Sequence, residues 1–378
     1  MSLPILLLIS QMKSIFIHNP TLSKFGKSLF SVRELSVNTA KKTLENFQES
    51  IDLLVFSSFS PEVYTKEFNL PSKIAGDLFL DNPYTLRTET ASSSGACAFH
   101  LAYYLLQSGH FKNALVIGTE IMTGLGREEN NLILGSVLSE NQMNYSTSMA
   151  QGAALICRRY MHEFNYTKKD LFFISEKLHA NGALNENAHI RKRITWEDYS
   201  KAPIFSSPLG LYDISPLSDG SASLILSVTQ KSEFRVKGLG HGISRFFNPP
   251  YSLSFEASIK AFIQAYNNSN IKPSDIDIAE LHDAFTIFEA IGMEDGGLAE
   301  KGKALDIIKS GITHSSGSLP INASGGLKSR GHPIGASGLA QIVEIQTHMK
   351  KLNKHIGLTH SIGGLATNNF VTIIEYAT

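Results

Sequence analysis

Four short segments of this chain concentrate residue types that can do chemistry. They are Ser92-Ser93-Ser94-Gly95, His282-Asp283-Ala284-Phe285, Asn322-Ala323-Ser324-Gly325-Gly326 running on to Gly331-His332-Pro333, and Ser361-Ile362-Gly363-Gly364 with His360 just before it. Their hydroxyls and imidazoles can serve as nucleophiles and as general acids or bases. Their glycine- and serine-rich turns expose backbone N–H groups that favour developing negative charge. By ligand type alone, His282, Asp283, His332 and His360 could also hold a metal. No single segment is specific. Each one falls at the end of a predicted strand, where one scaffold can aim several loops at one substrate.

The elements that must position these groups follow from the apolar pattern. β-rich runs recur at 14–18, 52–56, 114–118, 221–227, 234–239, 277–281, 355–359 and 370–374, with helical stretches between many of them. Continuous apolar strands alternating with helices predict an α/β fold, with a mainly parallel sheet covered on both faces. One pattern occurs twice: strand 85–89, Ser/Gly turn 91–95, helix 96–107 and strand 114–118, then strand 319–322, Gly-rich loop 324–335, helix 336–350 and strand 355–359. This repeat divides the chain into halves at 12–230 and 231–378. Residues 121–219 are too many for a connector and predict an inserted cap or loop domain with helices near 148–164 and 168–181.

Composition excludes several classes. Of 378 residues, 42% are hydrophobic and 18% charged, enough to bury a large core, and the 34 basic residues balance the 34 acidic ones. No basic field is present to attract nucleic acid or an anionic membrane. Only Cys97 and Cys157 occur, so no disulfide framework is expected and a reducing cytoplasm fits. The apolar run from Pro4 to Ile9 is far short of the ~20 residues of a membrane span. It reads as a tag or an upstream start before Met12.

Taken together, the segments resemble the thiolase superfamily from about Met12 to Thr378. The likeness rests on Ser-Met-Ala at 148–150, Arg-Arg-Tyr-Met-His-Glu at 158–163, Ser-Pro-Leu-Ser-Asp-Gly-Ser-Ala at 215–222 and the long Asn-Ala-Ser-Gly-Gly-Leu-Lys-Ser-Arg-Gly-His-Pro-Ile-Gly-Ala-Ser-Gly run at 322–338. It is strongest toward archaeal and sterol-carrier-linked thiolases. The resemblance implies two pseudo-symmetric halves with mixed five-stranded sheets, a homodimer, coenzyme A as part of the substrate and no separate cofactor or metal.

The resemblance also assigns roles. Ser92 matches the cysteine that takes the acyl group. His332 matches the histidine that activates it, and His282 matches a residue that orients a water in an oxyanion hole. The second family cysteine falls at Ala284 or Ser361, so neither source of that thiol remains. Gly363, Gly364 and Asn322 are the expected oxyanion-hole and backbone positions. His360 is either a replacement base or an exposed turn residue. Ser92 is either a nucleophile needing His332 as its base or simply a helix cap. Lys328 and Arg330, with Arg191 and Lys192, are candidates for the coenzyme A phosphates. Cys97 and Cys157 read as core thiols.

Two functions follow. One is a thiolase-like acyltransferase, or a related carbon–carbon bond enzyme such as a retro-aldolase, with weak conventional thiolysis. The other is a non-catalytic thiolase-like subunit that binds acyl-CoA or scaffolds a small partner protein.

Overall fold

A computed structural model describes residues 13–140, 148–245 and 252–377. The opening segment read as a tag lies outside these residues. Nine strands follow the hydrogen-bonded order β3-β2-β4-β7-β1-β8-β11-β10-β9. The first half contributes β1 (Phe16–Leu22), β2 (Leu53–Ser57), β3 (Tyr84–Thr88), β4 (Asn113–Glu120) and β7 (Gly220–Ser227). The second contributes β8 (Phe234–Ile243), β9 (Ile278–Glu280), β10 (Ile356–Gly363) and β11 (Asn368–Tyr376). A short hairpin, β5 (Ile204–Ser206) and β6 (Leu209–Gly210), stands apart.

The halves mirror each other from the edges inward. β3, β2 and β4 run parallel, and β7 and β1 then alternate antiparallel. β9 and β10 run parallel, followed by antiparallel β11 and β8. Two residue pairs between β1 and β8 join the halves into one order. The fifth strand expected in the second half, at 319–322, shrinks to one bridge between Ile321 and Ala279. Pro320 has no N–H to donate, the Ile321 N–H turns away to Thr313, and Asn322 adopts a left-handed φ of 54°.

Two helices, Ser94–Gln107 and Ile334–Leu352, pack against each other and against strands of both halves. Their approach is set by glycine. A Cβ on Gly95 would lie 2.8 Å from the Leu339 nitrogen, and one on Gly338 would lie 2.3 Å from the Ala96 nitrogen. Backbone thus meets backbone where the first turns of the two helices cross, and this fixes the loops that precede them, carrying Ser92 and His332.

The segment 121–219 forms helices Arg127–Gly135, Met149–Glu163, Lys168–Gly182 and Trp196–Lys201 among its described residues. The Met149–Glu163 helix starts at a Ser148 cap reinforced by Gln151. Its buried face and that of Lys168–Gly182, including Cys157, Tyr160, Leu171 and Leu178, join one apolar core with Ile287, Phe288 and Leu305. The insertion therefore rests on the second half. A fully buried ion pair ties it down: Lys177 Nζ lies 2.6 Å from Glu289 Oε1 and also donates to the Ile321 carbonyl at 2.9 Å.

Candidate active site

A cavity of about 520 Å³ opens where the strand-end loops meet the insertion, lined mostly by apolar side chains with Ser92, His282, His332 and Lys328 among its polar groups. Ser92 follows Ala91, whose φ of 53° is costly for a residue with a side chain, roughly 1–2 kcal/mol. The helix begins only at Ser94, and its cap position is Ser93. Ser93 Oγ donates to Thr90 and Asn368 carbonyls, and Ser94 Oγ accepts from the Thr90 N–H. Ser92 is therefore not the cap: among the described residues its hydroxyl has one partner, His332 Nε2 at 3.3 Å.

The tautomer of His332 follows from its other nitrogen. Ser337 Oγ donates to the Pro333 carbonyl at 2.9 Å and accepts from His332 Nδ1–H at 2.7 Å. Nε2 is left as the acceptor facing Ser92. Burial, aided by the Arg330 charge, pushes the His332 pKa down to about 3. The ring is held neutral, and its Nδ1 bonds a hydroxyl rather than a carboxylate that could stabilise an imidazolium. His282 meets His332 edge-on, ring centroids 5.3 Å apart. Its pKa is also lowered well below the usual value by burial, and its Nδ1 is buried without a partner among the described residues.

Asp283, next to His282, does not line the cavity but anchors the turn Gly326–Arg330. Its carboxylate accepts the Leu327 and Lys328 N–H groups at 2.7 and 3.1 Å. A Cβ on Gly326 would collide with it at 2.2 Å. Burial and then Glu289 raise its pKa to about 7.

Several expected site residues lie elsewhere. His360 is not an exposed turn base: it is fully buried, bonded through Nε2 to Ser258 Oγ at 2.9 Å and packed on Phe262, because the pleat of β10 turns it away from the cavity. Burial pulls its pKa to about 3. Ser361 is buried, its hydroxyl unpartnered among the described residues, and does not line the cavity. Asn322 is consumed by the frame, accepting from the Leu281 N–H at 2.7 Å and donating to Glu289 at 2.7 Å. The Gly363 N–H points to Asn369 Oδ1 at 3.3 Å, whereas Gly364 does line the cavity. Arg330 cannot reach a phosphate, since its guanidinium is fully buried over Phe25. Lys328 is buried too, inside the cavity wall.

Arg191 and Lys192 are exposed and directly follow Ile190 of the cavity lining. Arg127, which sequence reasoning missed, lines the cavity and lies over the Phe205 ring at 4.6 Å. Ser337 was missed as well; its spacing of five from His332 carries no recognisable signal. Among the described residues no cysteine lines this cavity. Cys97 is shifted up to about 11 by burial, and Cys157 is also raised by burial.

The family described as thiolase C-terminal domain-like matches residues 248–376. The chain is 29% identical over 329 residues to the acetyl-CoA acetyltransferase of Methanothermobacter thermautotrophicus, covering 83% of this chain and 86% of that one. The chain is similar to thiolases over most of its length, and its second half carries the thiolase C-terminal domain-like region. It is also 28% identical over 239 residues to the 17-hydroxy-3-oxo-4-pregnene-20-carboxyl-CoA lyase of Mycobacterium tuberculosis, covering 58% of this chain and 61% of the lyase. Among solved structures, the Ltp2-ChsH2(DUF35) aldolase superposes with a TM-score of 0.80 at 20% identity, covering 96% of this chain and 98% of that one.

Proposed function

We propose that this thiolase-like chain acts on acyl-CoA thioesters by acyl transfer, with Ser92 at the position thiolases give to a nucleophilic cysteine. The observation that carries the reading is the 3.3 Å contact between Ser92 Oγ and His332 Nε2 inside an apolar cavity. His332 takes the hydroxyl proton as Ser92 attacks the thioester carbon. The oxyanion forms beside His282 and the Gly364 turn, and coenzyme A leaves as the thiol. Arg127 in the cavity lining, with exposed Arg191 and Lys192 next in the chain after the lining residue Ile190, would meet the phosphates of coenzyme A. A neutral, weakly basic His332 without a carboxylate on its Nδ1 makes this attack slow, so thiolysis of acetoacetyl-CoA should be far below the usual enzyme turnover of roughly 1–10³ s⁻¹. A second copy would pair along β3, the open sheet edge leading into the Ser92 turn.

A second reading is favoured by the same weak base and by the lyase and aldolase relatives: cleavage of a carbon–carbon bond beside the thioester without an acyl-serine. Intact-mass spectrometry after incubation with a panel of acyl-CoAs separates the two. An acyl increment mapped to Ser92 supports acyl transfer. Cleavage of 3-hydroxyacyl-CoAs without any increment replaces it with the lyase reading. Neither increment nor cleavage would leave a non-catalytic binding subunit.

A further inference from the structure

We propose that Lys328 is an amine nucleophile that captures a ketone carbonyl of a ligand in the cavity as a Schiff base. Its side chain is 1% exposed and lines the cavity beside Ser92, His282 and His332. Among the described residues its Nζ makes no hydrogen bond and no ion pair. The protein contains a second buried lysine, Lys177, and gives that one both a carboxylate and a carbonyl. A buried ammonium without partners is expensive unless it is neutralised or engages a ligand. The backbone of Lys328 is meanwhile pinned by Asp283, which holds the side chain to a defined origin.

A ligand carboxylate is the other partner such an amine could take, and the surroundings disfavour it. Asp213 and Asp283 already act on Lys328 through space. Asp213 is itself held by the Gly210 N–H and by the Tyr199, Ser175 and Thr286 hydroxyls, and Asp283 by backbone N–H groups. Burial already pushes both carboxyls toward their neutral forms, so a ligand carboxylate would meet the same desolvation cost there, whereas a neutral carbonyl brings none. Burial keeps the nearby imidazoles of His282 and His332 uncharged, and the cation that acts on them is the buried Arg330 guanidinium, which does not line the cavity. Burial lowers the Lys328 pKa to about 8 against those two carboxyls, so a usable fraction of free amine is present at mildly alkaline pH.

The step balances without an external oxidant or reductant. The amine lone pair forms the C–N bond as the carbonyl π bond opens, a proton passes from nitrogen to oxygen, and loss of water leaves the C=N bond. An iminium so formed would draw electrons from the adjacent carbon–carbon bond, the role a thiol cannot fill here.

Two probes test this on the full chain: pentane-2,4-dione, which needs no coenzyme A recognition, and acetoacetyl-CoA with borohydride to reduce the imine. Peptide mapping should place the adduct on Lys328, forming on the order of tenfold faster at pH 8 than at the exposed Lys201, because burial leaves more of the Lys328 amine neutral than in an ordinary lysine. The adduct should vanish in Lys328→Met and persist in Ser92→Ala. Labelling by the dione but not by acetoacetyl-CoA supports the amine site while counting against the acyl-CoA reading. Absence of a Lys328 adduct with both probes in wild-type protein of intact fold, or labelling no faster than at Lys201, overturns the proposal.

Discussion

Two polar clusters built across the two halves differ in one respect. In the first, Lys177, Glu289, Asn322 and the Leu281 and Ile321 backbones satisfy one another. In the second, Ser92, His282, His332 and Lys328 face a cavity with one 3.3 Å contact to Ser92 and, among the described residues, an unpartnered His282 nitrogen and an unpaired amine. Buried polar groups that close among themselves hold a fold together. Those left open toward a cavity are prepared for something that is not part of the chain.

The largest effect expected from breaking this contrast is on the closed cluster. Lys177→Met leaves Glu289 buried without its cation, and should cost about 3–5 kcal/mol of stability by denaturant unfolding. A loss below about 1 kcal/mol would mean that the pair is not structural.

An intermediate effect concerns His360, which the fold buries rather than exposes. Its folded pKa of about 3 lies below the unfolded value near 6.5, so its contribution is fully present above pH 6.5 and is lost as the pH falls toward 3. Across that window the wild type should lose stability relative to His360→Gln by up to about 1.4 kcal/mol per pH unit. Parallel stability curves for the two proteins would show that His360 titrates normally. The smallest effect is on the open cluster: Lys328→Met should change stability by less than about 1 kcal/mol or raise it, because it removes a buried charge that has no partner among the described residues. A loss as large as that of Lys177→Met would erase the distinction between the clusters.

The alternation of strands and helices was legible because β2, β4, β7 and the two central helices carry continuous apolar or small-residue runs. The repeat around Ser92 and His332 was legible for the same reason. What sequence could not carry was direction. His360 and Ser361 are adjacent, and the register of β10 decides which way each points. Lys328 and Arg330 look like surface cations, but Asp283 and the Gly182–Gly325 approach draw their turn inside. Two of the insertion's helices were visible near 148–164 and 168–181, yet their attachment to the second half rests on a shared apolar core and on the Lys177–Glu289 pair, 112 residues apart.

Ser92→Cys tests most directly whether the open cluster is still an assembled acyl-transfer site. A thiol placed one residue before the helix cap, with His332 Nε2 beside it, should acquire a pKa below its usual ~8.5 and be acylated by acetyl-CoA. The expected result is a single acetyl increment at position 92 of the variant by intact-mass and peptide analysis, with carbon–carbon condensation remaining poor. A folded variant whose new thiol keeps an ordinary pKa and takes no acetyl group would contradict the acyl-transfer account.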